Sequence, residues 1–103
     1  MKTVFSGIQP SGSVHLGNIL GALINWKRIQ AEYKCYYCIV DLHSLTTFPD
    51  KALLERDKLD TVKSLLAVGI NSDKSTIYFQ SELPHHTELS WILSNFCQIG
   101  ELQ

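Results

Sequence analysis

Residues 35–40 read CYYCIV, six positions without a single charged side chain. A run so short and so apolar suits a strand covered on both faces, and such strands belong to parallel sheets rather than to sheets with one wet side. Two further runs, Thr3–Ile8 (TVFSGI) and Ser75–Phe79 (STIYF), have the β-branched and aromatic content of strands. Helical periodicity fills the gaps between them. Ile19, Leu23, Trp26 and Tyr33 recur at three- and four-residue steps or their multiples, while Asn25, Arg28 and Glu32 fall opposite. A second helix is expected to start at Asp50 as N-cap, to turn Leu59, Val62, Leu65 and Leu66 inward, and to stop at Gly69 as its C′ residue. A third carries Leu89, Ile92, Leu93 and Phe96 on one stripe and ends at Gly100.

The order β-α-β-α-β-α predicts an α/β fold of parallel strands joined by right-handed helical crossovers. A chain of 103 residues has room for one domain, and nothing after the third helix completes the sheet. The expected architecture is the first half of a Rossmann-like, doubly wound parallel sheet, with residues 1–103 a truncated N-terminal part of a nucleotide-binding domain. Nine Lys and Arg against ten Asp and Glu give a net charge of −1, so no broad basic field is present and any nucleic acid is held mainly elsewhere. Three cysteines and no signal-like start point to a reducing, cytoplasmic setting. The longest apolar runs fall far short of the about 20 residues that cross a bilayer, so no membrane partner is expected.

Open parallel sheets bind ligands outside the carboxyl ends of their strands. That nominates residues 9–18, 41–49 and 80–86, which hold all four histidines (His15, His43, His85, His86) with Gln9, Ser11, Asn18, Asp41 and Glu82. The first segment, GIQPSGSVHLGN, matches six positions of a Walker A loop, but Ser13 and Val14 stand where Lys and Ser or Thr are required. Its glycines are also spaced wrongly for a dinucleotide fingerprint. What remains is H-x-G-N at His15–Asn18, placed at a helix start whose free N–H groups and positive dipole end suit a nucleotide phosphate. Gly17 leaves room for a base or ribose, and His15 and Asn18 can donate to phosphate oxygens. Four letters alone favour an ordinary N-cap region with a surface histidine.

The surrounding motifs narrow the choice. A strand, then GIQPSGSVHLGN, then Gly21-Ala22-Leu23 resembles the opening of class I aminoacyl-tRNA synthetases, whose HIGH signature occupies this place, and SGIQPSG with Asn18 is similar to the tryptophanyl branch. The resemblance continues through CYYCIVDLHSLT (35–46), AVGI (67–70), QSELPHH (80–86) and IGEL (99–102), and so covers the whole chain as about the first third of such an enzyme. It implies ATP contacts at Gln9, Pro10, Ser11, Gly17 and Asn18, catalytic roles for His15 and Asn18, and a tryptophan pocket at Phe5, Gly7 and His43. Phe5, Gly7 and Gln9 alternate along one strand and share a face, which puts an aromatic wall beside the nucleotide loop.

The implied reaction is ATP-dependent activation of tryptophan and its transfer to tRNA(Trp). Mg²⁺ travels with ATP, no protein metal site is expected, tRNA contacts lie mainly beyond this chain, and the full-length enzyme is a homodimer. The fragment alone is expected to be inactive, because the family's lysine-rich KMSKS loop lies beyond Gln103. Two alternatives stay open: an H-x-G-H-type nucleotidylyltransferase, and a non-catalytic fragment that binds nucleotide.

Other residues carry blander readings. Cys35 and Cys38 form a C-x-x-C, but side chains three apart in a strand face opposite ways, which favours packing over metal or redox chemistry. Asp41 serves a ligand or caps the following turn, and His43 favours the pocket. His85 and His86, after Pro84, read as solvated capping residues. Trp91 falls off the third helix's stripe, as an interface residue would.

Overall fold

The computed structural model describes residues 1–10 and 19–102; Ser11, His15, Gly17 and Asn18 lie outside them. Strand β1 (Thr3–Ile8) is followed by a π-helical turn (Ile19–Leu23) that runs into α1 (Ile24–Ile29), and then by β2 (Lys34–Ile39). The short α2 (Asp41–Ser44) and a 3-10 turn (Leu45–Thr47) lead to α3 (Lys51–Ala67) and β3 (Ser75–Phe79). A second 3-10 turn (Gln80–Glu82), α4 (Pro84–Ser94) and α5 (Ile99–Leu102) complete the order. The strands lie β1-β2-β3, parallel throughout, with Phe5 opposite Tyr36 and Tyr36 opposite Thr76.

That register sorts the side chains. Cys35, Tyr37 and Ile39 of β2 are buried against Leu23, Leu65 and Ile70, with Val4, Ile8, Trp26, Ile29, Val62, Ile77 and Phe79 packed around them. Both crossovers therefore lie on one face of the sheet, as sequential strand order with right-handed connections requires. The other face carries Phe5, Tyr36, Cys38 and Tyr78, and among the described residues its cover is partial: Cys38 is buried, Tyr36 half-buried and Phe5 59% exposed.

Tyr37 is the largest fully buried side chain. Its ring stacks on Trp26 at 4.5 Å and 12°, and its hydroxyl donates to the Trp26 carbonyl at 2.8 Å, so the polar end of a buried aromatic is satisfied. Burial, followed by the neighbouring Cys35 thiol, raises the Tyr37 pKa and keeps the phenol neutral. Gln30, just past α1, is a second tie. Its amide donates to the Gly69 carbonyl at 2.8 Å, and its oxygen accepts from the Asn71 amide at 2.9 Å and the Ser75 hydroxyl at 3.1 Å. One side chain thus joins the end of the first crossover to the start of β3.

The ends of α3 follow their local chemistry. Asp50 accepts from the Leu53 amide at 3.2 Å as N-cap, and Gly69 takes φ 100°, a conformation that L side chains resist. The buried stripe differs from the expected one. Leu65 is buried and Val62 half-buried, but Leu59 and Leu66 are exposed, and Thr61 takes the inner position. Thr61 is accommodated there because its hydroxyl donates to the Asp57 carbonyl at 2.8 Å, and Leu59 and Leu66 lie about a quarter-turn or more away from the line it shares with Leu65.

Two helices end earlier than their apolar spacing suggested. α1 stops at Ile29, so Tyr33 reaches the core from the turn beyond it. α4 stops at Ser94, which leaves Phe96 past its end and Gly100 inside α5. Leu89, Ile92 and Leu93 are exposed along α4, so apolar spacing there does not mark a face buried among the described residues. Replacing Gln30 with Ala should lower the free energy of unfolding by about 1–3 kcal/mol in urea denaturation, because several partly buried partners lose their bonds at once.

Candidate functional site

At the carboxyl edge the structure places Phe5 and Gly7 on the open face of β1, with Gln9 exposed and Pro10 buried just beyond the strand. Gly7 sits close against the end of β2: a Cβ there would come within 3.3 Å of Val40 Cγ1. Between this face and the start of α4 lies a cleft of about 500 Å³, lined by Phe5, Tyr36, Thr76, Tyr78, Glu82, Leu83 and His86. Strand alternation and in-register pairing put Phe5, Tyr36, Thr76 and Tyr78 on one face, and they form its floor. The turn after β3 and the first turn of α4 supply the wall. An aromatic floor and a few polar groups at the rim are features of a small-molecule pocket; the floor lies over the strands themselves, and Glu82, Leu83 and His86 come from beyond the end of β3.

His86 is exposed, as expected from its place after Pro84, but it caps no helix end. Pro84 opens α4, and the His86 ring lies 6.1 Å from the Phe5 ring, with its Nε2 3.0 Å from the Tyr78 hydroxyl. His85 is exposed. His43 is exposed on α2 and does not line the cleft. Burial, and then the Cys38 thiol, push the Tyr78 phenol up to about 12, so it is a neutral hydroxyl at physiological pH. The Cys38 thiol is likewise raised, chiefly by burial. Cys35 and Cys38 occupy opposite faces of β2 and both are free thiols. Among the described residues, no three His, Cys, Asp or Glu side chains gather as metal ligands, and no helix is long and apolar enough to cross a membrane.

Asp41 resolves in favour of a turn-holding role. Its buried carboxylate accepts from the Leu42 amide at 3.1 Å, from the Ser81 amide at 3.0 Å and from the Ser81 hydroxyl, and it pairs with Lys58 Nζ at 3.3 Å. It ties the end of β2 to the turn after β3 and to the middle of α3. Lys58 also lies 4.7 Å from the Phe79 ring centroid. Burial opposes ionisation of Asp41, but the Ser81 hydrogen bonds and then Lys58 outweigh it and hold the carboxyl below its ordinary value. Lys58 is raised for the reciprocal reason: burial disfavours its charge, and Asp41 and Glu55 more than compensate. Lys58 and Ser81 carry no sequence signal for this role, because they are 17 and 40 residues from Asp41 and meet it only through the sheet.

A family model for class I tRNA synthetases (W and Y) matches residues 1–103. The chain belongs to that family. Tryptophan–tRNA ligases from Clostridium tetani and Oceanobacillus iheyensis are each 46% identical to it, over 98% and 100% of this chain and 30% and 32% of their own lengths. A tryptophanyl-tRNA synthetase structure from Mycoplasma pneumoniae superposes with a TM-score of 0.93 at 35% identity, covering 100% of this chain and 31% of that one. Another, from Campylobacter jejuni in complex with ADP and tryptophan, gives 0.89 at 33% identity, covering 97% and 31%. The chain thus spans about a third of the length of its synthetase relatives, and the parallel α/β sheet is the Rossmann-like fold of this family. Membership sets aside the nucleotidylyltransferase alternative.

The Asp41 network predicts a pH dependence. A carboxyl held below its ordinary pKa stabilises the fold above the ordinary range near ~4, and that contribution is lost as pH falls through the lower folded value. Asp41→Asn should destabilise the protein by about 3 kcal/mol at neutral pH. In urea denaturation from pH 7 to pH 3, the gap between the unsubstituted protein and the variant should be widest at pH 7 and narrow in acid.

Proposed function

We propose that the full-length enzyme containing this chain activates tryptophan with ATP and passes the aminoacyl group to tRNA(Trp), with residues 1–103 forming the first half of its nucleotide-binding domain. The observation that carries this reading is the aromatic cleft over Phe5 of β1, in a chain matched along its length by tryptophan–tRNA ligases. The complex of the Campylobacter jejuni relative with ADP and tryptophan supports the same pair of ligands. In this reading Phe5 forms a wall for the indole and Gly7 leaves room beside it, while His43, which does not line the cleft, is assigned to the pocket by the family pattern alone. Gln9, Pro10, Ser11, Gly17 and Asn18 hold ATP. His15 and Asn18 donate to the phosphate at which reaction occurs.

The chemistry asks for little proton transfer. A tryptophan carboxylate oxygen forms a bond to the α-phosphorus in line with the departing pyrophosphate, whose bond to that phosphorus breaks, and tryptophanyl-adenylate remains. Donors around the phosphoryl oxygens and fixed orientation of two substrates are what such a displacement needs from a protein. Mg²⁺ would travel with ATP, coordinated mainly by its phosphates and by water. tRNA is bound mainly by regions outside this chain, which has no basic excess. The exposed apolar residues of α4, with Trp91 beside them, suit packing against the rest of the full-length enzyme or a second subunit of a homodimer.

Full-length enzyme should exchange pyrophosphate into ATP in a tryptophan-dependent manner, and His15→Ala should lower the exchange kcat by about 10²–10³-fold. The 103-residue chain alone should not charge tRNA. Exchange stimulated by tyrosine and not by tryptophan would overturn the assignment.

A further inference from the structure

Among the described residues Phe5 has few neighbours: its ring lies on the face of β1 away from the core and is 59% exposed. Tyr78 stands on β3, two strands across and two residues along from Thr76, which is in register with Phe5, a separation of about 11–12 Å at ordinary strand spacing and rise. The His86 imidazole spans that gap. It lies 6.1 Å from the Phe5 ring at a 43° tilt and 6.0 Å from the Tyr78 ring at 13°, and the Tyr78 hydroxyl meets its Nε2 at 3.0 Å. Both partners line the same cleft.

The geometry points to His86 as a positioning residue of the cleft: anchored by the Tyr78 hydroxyl, its ring fixes Phe5 and thereby the wall against which the amino-acid side chain is set. This rests on the reading of the cleft as the amino-acid pocket. The anchor is built from fixed parts. Pro84 at the first position of α4 presets the backbone from which His86 projects, and the His86 amide bonds to the Leu83 carbonyl at 3.3 Å. The Tyr78 phenol stays neutral, so it has one proton to donate, and Nε2 accepts it when the ring proton is on Nδ1. Aromatic pairs at such separations have preferred tilts, which turns a held imidazole into a held Phe5.

Pyrophosphate exchange by the full-length enzyme tests this, with KM measured separately for tryptophan and ATP. His86→Ala should raise the tryptophan KM about five- to tenfold and leave the ATP KM within about twofold. Tyr78→Phe, which removes only the hydroxyl, should produce most of the same rise and keeps the test decisive if His86→Ala fails to fold. The double variant should be no worse than His86→Ala, because the two act through one bond. His86→Gln, whose amide oxygen can accept from Tyr78, should recover part of the loss. Unchanged tryptophan KM in His86→Ala and Tyr78→Phe, parallel rises in both KM values, or independent multiplying effects would overturn the positioning role. If the unsubstituted enzyme lacks tryptophan-dependent exchange, the pocket reading itself fails and the positioning role with it.

Discussion

β2 is paired in parallel on both sides, and the rest of the molecule depends on that pairing. A strand in that position alternates between two faces, so its register decides at once what is core and what is site. Cys35, Tyr37 and Ile39 go to the helix-covered face, and a shift of one residue would exchange them for Tyr36 and Cys38. The Tyr37 hydroxyl reaches the Trp26 carbonyl only in the observed register. Both helical crossovers then fall on the same side of the sheet. The opposite side is left to Phe5, Tyr36, Thr76 and Tyr78, which are the floor of the cleft.

Where β2 ends, Asp41 converts strand order into a fixed binding edge. A carboxylate this buried is costly by several kcal/mol unless its oxygens are met by good donors, and here Ser81, Leu42 and Lys58 supply them. Those partners come from the turn after β3 and from α3, so the turn that carries Glu82 and Leu83 into the cleft wall is tied to the strand at the centre of the sheet. Stability and pocket shape share the same interactions at this edge.

The strands were readable from residue type and alternation to within one position, because an apolar six-residue run between helical patterns has few other homes. Asp50 and Gly69 were equally plain, since caps are set by local hydrogen bonding and backbone sterics. Periodicity was a weaker guide to which residues a helix buries. Thr61, not Leu59 or Leu66, faces the sheet, a choice settled by how α3 docks rather than by its own pattern. Phe5 and Gly7 could be placed on the cleft face of β1 from alternation alone, but Tyr36, Thr76 and Tyr78 needed the register of three strands. Ser81 was beyond local reading because its partner Asp41 is 40 residues away, and His86 because it meets Phe5 from across the sheet, although Tyr78 is only eight residues before it. The H-x-G-N segment falls outside the described residues, and its role rests on the family's pattern.

That the aromatic face of the parallel sheet receives an amino acid, next to a loop that receives ATP, is the central proposal. Its most direct test is a crystal structure of the full-length enzyme with tryptophan and a non-hydrolysable ATP analogue. The indole ring should lie against Phe5, above Gly7, with the analogue's phosphates at residues 9–18. Tryptophan bound elsewhere, with the Phe5 face left to solvent or to packing, would contradict the claim.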